Sequence, residues 1–364
     1  MTTSKKFALL LRRGMGLRAK DGKSTIPDID DEKEWKEVMA LGKEQAVIGL
    51  LERGIRVMPP ESCPPKKLHI QTSMLSQKIA LLNRKVDVAS VNVEAMMEQE
   101  GFQCCILKGQ GNALAYPDPS ARTPGDIDVW VAATPEQVVA FARKEMPDAK
   151  ACYHHVEYVK CDGVKVELHY RPAFLNNPLY NSRLQKWFIS EAATQCSHRV
   201  DLPNGVGTVN VPTDAFNRIF QMAHIMNHVV HDGLGIRQLM DYYFLLRKGF
   251  TLEEQQHDVQ LLRRLGLYNI TAAVMYTLRQ LFALPVEKML VPPDRRRGRF
   301  LLKEVLEGGN FGHFSPQSLK ARTRLKKNML RMKRDIRLLT RFPSECLCEP
   351  MFRLWHYFWR KQFK

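Results

Sequence analysis

Two carboxylates, Asp126 and Asp128, stand two residues apart in the run Arg122-Thr123-Pro124-Gly125-Asp126-Ile127-Asp128-Val129-Trp130-Val131. In a strand, side chains alternate between faces, so both acids point the same way, about 6–7 Å apart, while Ile127, Val129 and Val131 turn to the apolar side. Holding two ionised carboxylates at that distance is costly unless a cation sits between them, and oxygen donors of this kind suit Mg²⁺ together with substrate phosphates. The same alternation in Val164-Lys165-Val166-Glu167-Leu168-His169-Tyr170 directs Val164, Val166, Leu168 and Tyr170 inward and leaves Lys165, Glu167 and His169 on the open face. Three carboxylates, Asp126, Asp128 and Glu167, can hold two metal ions that clamp the attacking and leaving oxygens of an in-line phosphoryl displacement. One of them can also receive the nucleophile's proton.

A phosphate site is expected upstream, where Leu107-Lys108-Gly109-Gln110-Gly111 follows a short apolar run. A glycine-containing turn after a strand lets backbone N–H groups approach phosphate oxygens, the use assigned to Gly109 and Gly111. Lys108, Arg122 and Lys165 supply cations for a triphosphate.

The elements that must position these residues follow from periodicity. Residues 102–107, 126–131, 153–160 and 164–170 read as strands, the last two joined by the hairpin signal Asp162-Gly163. Residues 134–144 read as a helix with Thr134 as N-cap and Pro135 at its first position. This strand–helix–strand unit lies between helical stretches. Before it come residues 5–57 and a long amphipathic run over 68–100. After it come helices at 213–230, 236–248, 252–265, 271–281 and 316–339, with residues 292–299 as an exposed linker. The expected architecture is α+β: a helical segment over 1–100, a small mixed-sheet palm over 101–175, and a helical part over 176–364 ending in a basic tail.

Leu107-Lys108-Gly109, Asp126-Ile127-Asp128 and Glu167 together resemble the nucleotidyltransferase fold of the DNA polymerase beta superfamily. More narrowly, the chain is similar to an uncharacterised bacterial nucleotidyltransferase family with a K-G turn, an R-x-x-x-D-I-D segment and a [DE]-x-H-[WY] strand, here Glu167-Leu168-His169-Tyr170. A later H-x-x-x-H…R-x-x-x-D pattern is matched by His224, His228, Arg237 and Asp241. The resemblance implies transfer of a nucleoside monophosphate from a nucleoside triphosphate to an acceptor hydroxyl, with Mg²⁺ held by Asp126, Asp128 and Glu167. His169 and Arg237 join Lys108, Gly109, Gly111 and Arg122 as expected nucleotide contacts. Gln110 stands where the superfamily usually has serine or glycine, which leaves room for a second reading: a nucleotide- or RNA-binding module that keeps the fold without the catalysis.

A third reading is a metal-dependent phosphohydrolase built on His224, His231, Asp232 and Asp241; separately, His224, His228 and His231 fall at i, i+4 and i+7 of one helix face, a spacing that can bind Zn²⁺. The plainer account is that these histidines hydrogen-bond beside a cleft, and that Arg237 and Asp241 pair along their helix. His154-His155 reads as satisfied or solvated, Cys346-Leu347-Cys348 as structural, and the aromatic cluster Phe352, Trp355, Tyr357, Phe358 and Trp359 as core rather than a base-stacking surface.

Composition sets the outer bounds. The chain has 364 residues with 45% hydrophobic content, enough for a substantial core, and its eight cysteines include no C-x-x-C pair, as expected of reduced thiols in a cytoplasmic protein. No apolar run approaches the roughly 18 residues of a membrane helix. The formal net charge of +17 is concentrated: residues 315–364 hold 14 Lys and Arg against three acids, a local +11. That tail is expected to favour a polyanionic acceptor such as RNA or tRNA, because neutralised phosphates release counterions.

Overall fold

In the computed structural model, which describes residues 2–17, 27–29, 31–308, 329 and 334–363, apolar alternation produces four strands. These are β1 Cys104–Leu107, β2 Ile127–Val131, β3 His155–Cys161 and β4 Val164–His169. They form one mixed sheet in the order β1-β2-β4-β3, with β2 parallel to β4 and the other pairs antiparallel. The β3–β4 turn uses Asp162 at φ 50° and Gly163 at φ 75°, the two positive-φ positions of a type I′ hairpin.

The first three helices, α1 Thr3–Gly14, α2 Glu32–Glu44 and α3 Ile48–Arg56, precede the 34-residue α4 Lys66–Gln99. No Gly or Pro interrupts α4 until Gly101, at φ 80°, ends the run. Its residues Val86, Ala89, Val93 and Met97, at helical spacing, form one core with Ile106, Ile127, Val129, Val131, Val166 and Leu168 of the sheet. After the short α5 Gly109–Ala113, helix α6 Pro135–Glu145 adds Val138, Val139 and Ala142 to that core, and its start is fixed by a capping box between Thr134 and Gln137.

The other sheet face meets a second, larger core. Cys105, Leu107 and Trp130 join residues of α7 Pro178–Gln195 and α8 Asp214–His231, with Trp130 stacked on Phe216 at 5.5 Å. Helices α9 Ile236–Lys248, α10 Leu252–Arg264, α11 Tyr268–Phe282 and α12 Arg295–Gly308 extend it.

Three expectations need correction, and one lies mostly outside the described residues. The chain after Pro172 is not purely helical, because Arg199–Asp201 and Thr208–Asn210 pair as a two-stranded ribbon whose Val209 enters the first core. Strands of three residues are too short to show alternation. Most of the stretch read as a linker is the first turn of α12, where Gly298 lies so close to Tyr276 that a Cβ would meet that side chain at 2.4–2.6 Å. The run of arginines there reflects an exposed helix face, not an open loop. The helix expected at 316–339 falls mostly outside the described residues, as does the basic run at 320–333. The C-terminal helix Pro343–Trp359 is described, and its aromatic cluster is not the expected core: Phe352, Trp355 and Trp359 approach Tyr153, but Trp355, Tyr357 and Phe358 are exposed on an outer helix. All eight cysteines are free, and no helix among the described residues is long and apolar enough to cross a membrane.

Candidate functional site

Strand register assembles the acids. Leu107 lies opposite Asp128 across β1 and β2, and Asp128 lies opposite Glu167 across the parallel β2 and β4. Asp126 stands just before β2, and the antiparallel pairing of β3 with β4 sets His155 opposite His169. Together with Lys108 and Gly109, the side chains of Asp126, Asp128, Glu167, His155 and His169 line a cleft of about 330 Å³, faced by His224 and His228 of α8 and Arg237 of α9.

The chain turns sharply as β1 ends, with Lys108 at φ 53° and ψ −128° and Gly109 at φ 38°. A lysine in that region carries strain of about 1–3 kcal/mol. The turn places Lys108 Nζ 2.9 Å from Asp128 Oδ2 and 3.4 Å from His224 Nε2. Asp128 Oδ1 lies 2.9 Å from His169 Nε2, which is 3.6 Å from Glu167. Lys165 pairs with Glu167 and lies 3.9 Å from Asp126.

The three carboxyl groups are held in different states. Burial pushes Asp128 up, but Lys108 and His169 outweigh it and hold its carboxyl well below the usual range. Glu167 also resists burial and is drawn down to about 2 by His169, His155 and Lys165. Asp126 goes the other way, raised by burial and then by the charges of Asp128 and Glu167. Burial works against the His169 cation, yet bonds to Asp128 and Glu167 raise it to about 8. Desolvation keeps His154, His155 and His224 neutral at pH 7, with His155 lowered to about 4.

Other predicted contacts are placed differently. Arg122 is buried, and its Nε and one terminal nitrogen each donate to Asp241 at 2.8 Å, so it is not a free cation for a triphosphate. Asp241 also accepts from the Tyr116 hydroxyl at 2.6 Å and from Asn112 at 3.3 Å. The expected pairing of Arg237 with Asp241 gives way to this arrangement, and Arg237 donates to the Thr123 and Pro124 carbonyls at 3.1 and 3.5 Å. Gly111 does not line the cleft: a Cβ there would meet Val211 at 3.0 Å, so this glycine serves packing. Gln110 turns away and donates to Asp87, which removes it from the phosphate turn.

The phosphohydrolase set does not assemble. His224 and His228 meet at 2.9 Å, but His231 bonds to Asn176 at 3.1 Å and Asp241 is taken by Arg122. Among the described residues, two sets of three bring potential ligand atoms within 4.8 Å of one another: Cys152, His154 and His155, and His155, Glu167 and His169. The carboxylates Asp126, Asp128 and Glu167 flank the cleft without closing on one point. His154 and His155, read from sequence as merely satisfied or solvated, line the cleft. Proximity to Glu167 across a hairpin was the signal that could have found them.

The family described as an uncharacterised nucleotidyltransferase matches residues 31–283. The chain belongs to this family. No curated protein matches this nucleotidyltransferase-family chain. A solved structure, an antigenic nucleotidyltransferase-like protein from Paracoccidioides brasiliensis, aligns over 58% of this chain and 94% of its own at 12% identity, with a TM-score of 0.28. Family membership assigns nucleotidyl transfer as the general role, and the match includes every cleft residue named above.

Proposed function

We propose that the cleft moves a nucleoside monophosphate from a nucleoside triphosphate to an acceptor hydroxyl, with Mg²⁺ held by Asp126, Asp128 and Glu167. The observation that carries this reading is the parallel pairing that sets Asp128 against Glu167 in a cleft that Asp126 and Lys108 also line. The donor chemistry fits a hard cation, since all three groups offer only oxygen, and Asp126 bears the unfavourable charge of its neighbours. Bound Mg²⁺ would supply charge neutralisation at the phosphates and reacting oxygens. The chain's own groups do the positioning. Lys108 and the open backbone at Gly109 meet phosphate oxygens, and His169 orients Asp128 and Glu167. One of the three carboxylates would receive the proton of the incoming hydroxyl.

The acceptor we propose is a polyanion such as RNA, on the strength of the +11 charge over residues 315–364. The test is incubation with Mg²⁺ and labelled triphosphates against pools of small molecules, RNA and protein. The wild-type chain is expected to label one pool, and Asp128→Asn to abolish labelling while keeping the native circular dichroism. Full labelling by that variant refutes the assignment.

A further inference from the structure

The strongest unassigned cluster lies at the rim of the cleft, where the chain enters β3. Cys152 Sγ is 3.5 Å from His154 Nδ1 and 3.5 Å from His155 Nδ1. Neighbouring strand residues normally face opposite ways. Here β3 begins only at His155, and a bend at residues 153–154 turns both imidazoles toward the same sulfur.

We propose that Cys152, His154 and His155 bind one Zn²⁺ ion, with a fourth position open to the cleft. The distances fit that ion. With Zn–S of about 2.3 Å and Zn–N of about 2.0–2.1 Å, tetrahedral ligands place sulfur and nitrogen about 3.5 Å apart. One thiolate with two imidazoles is a borderline-soft set that selects zinc over Mg²⁺, which the all-oxygen acids suit. Three protein ligands with a vacant fourth position is the arrangement of catalytic rather than structural zinc. Glu167 Oε2, 3.5 Å from the same His155 Nδ1, borders the open side.

The backbone that carries these ligands is fixed before any ion arrives. The Cys152 N–H donates to the His155 carbonyl at 2.9 Å. The Tyr170 hydroxyl donates to the carbonyls of Cys152 and His155. Arg171 donates to the Tyr153 carbonyl at 2.7 Å, and the N–H groups of Tyr170 and Arg171 both reach the His154 carbonyl. Every carbonyl from Cys152 to His155 therefore has a partner, and the turn is a rigid support of the kind a metal site needs.

This inference does not rest on the transfer reading, and its test does not use activity. The full chain, stripped of metal by chelation, is titrated with Co²⁺ and then Zn²⁺. One Co²⁺ per chain with a sulfur-to-metal charge-transfer band, displaced by Zn²⁺, is expected. Cys152→Ser should abolish the band and weaken Zn²⁺ binding by more than the roughly 10–100-fold that loss of an outer-shell partner costs. Cys161→Ser, which alters a free cysteine outside the cluster, should change neither. His154→Gln is the second ligand variant if Cys152→Ser unfolds, and should weaken binding while keeping the sulfur band. A wild-type chain that binds no Co²⁺, or a band that survives in Cys152→Ser, overturns the proposal.

Discussion

Replacing Asp241 by alanine tests whether α9 holds the segment ahead of Asp126 through a buried charge. Asp241 is 6% exposed and accepts two bonds from Arg122, one from Tyr116 and one from Asn112. Arg122 is equally hidden, at 5% exposure. Removing the carboxylate leaves a guanidinium without its counter-charge, a loss of about 3–5 kcal/mol. The orphaned Tyr116 hydroxyl adds about 1–3 kcal/mol. These two losses share one cavity and do not add fully, so about 4–6 kcal/mol is expected. That is a large share of the roughly 5–15 kcal/mol that holds a typical domain together.

The assay is urea unfolding of Asp241→Ala, Arg122→Met and the pair Arg122→Met/Asp241→Leu. Either single change should be strongly destabilising. The double change should recover most of the loss, because no buried charge is then left alone. A cost below about 1 kcal/mol for Asp241→Ala, or additive losses in the double variant, would refute the claim that this pair is a buried, mutually dependent unit.

Other outcomes follow from the same structure. Glu345 is buried, accepts from the Asn176 N–H at 2.6 Å, and is pushed by burial up to about 7. Its folded value exceeds its unfolded one, so its contribution is intact below about pH 4.5 and lost as pH rises toward 7, by up to about 3 kcal/mol. Glu345→Gln should flatten unfolding free energy across that window, and parallel pH profiles for the two proteins would contradict it. Lys108→Met should weaken binding of a nucleoside triphosphate by about 10–100-fold in calorimetry, the value of a charged hydrogen bond to phosphate; unchanged affinity would remove Lys108 from the phosphate site. Exchanging Lys320, Arg322, Arg324, Lys326 and Lys327 for glutamine should reduce both RNA affinity and its salt dependence, by up to about 0.7 in slope per charge, while nucleotide binding is kept. That exchange is a better probe than deletion of the tail, since the C-terminal helix packs Phe352 on Phe174 and anchors Glu345 to Asn176. RNA affinity that does not change would count against a polyanionic acceptor.

What was legible in the sequence was whatever local periodicity controls. Ile127, Val129 and Val131, like Val164, Val166 and Leu168, fall on one face because strand alternation admits no other arrangement once that face is buried. The parallel pairing of β2 with β4 was not legible, because register between strands separated by α6 and β3 depends on packing that no short window contains. The placement of His154 and His155 beside Cys152 was not legible for a related reason. Strand alternation separates neighbours, whereas a bend just before β3 brings their nitrogens to one sulfur.

The R-x-x-x-D of α9 shows how motif residues far apart in sequence can serve one small task. Arg122 and Asp241 are 119 residues apart, and Arg237 reaches the Thr123 carbonyl across 114. Spacing within α9 suggested that Arg237 and Asp241 answer each other, but each instead grips the chain just ahead of Asp126. Asp241 takes the side chain of Arg122, and Arg237 takes the backbone at Thr123 and Pro124. The cations once counted toward a triphosphate thus fix where Asp126 stands relative to Asp128 and Glu167. Of the cations expected to meet the triphosphate, Lys108 and Lys165 are the ones paired with Asp126, Asp128 and Glu167 among the described residues.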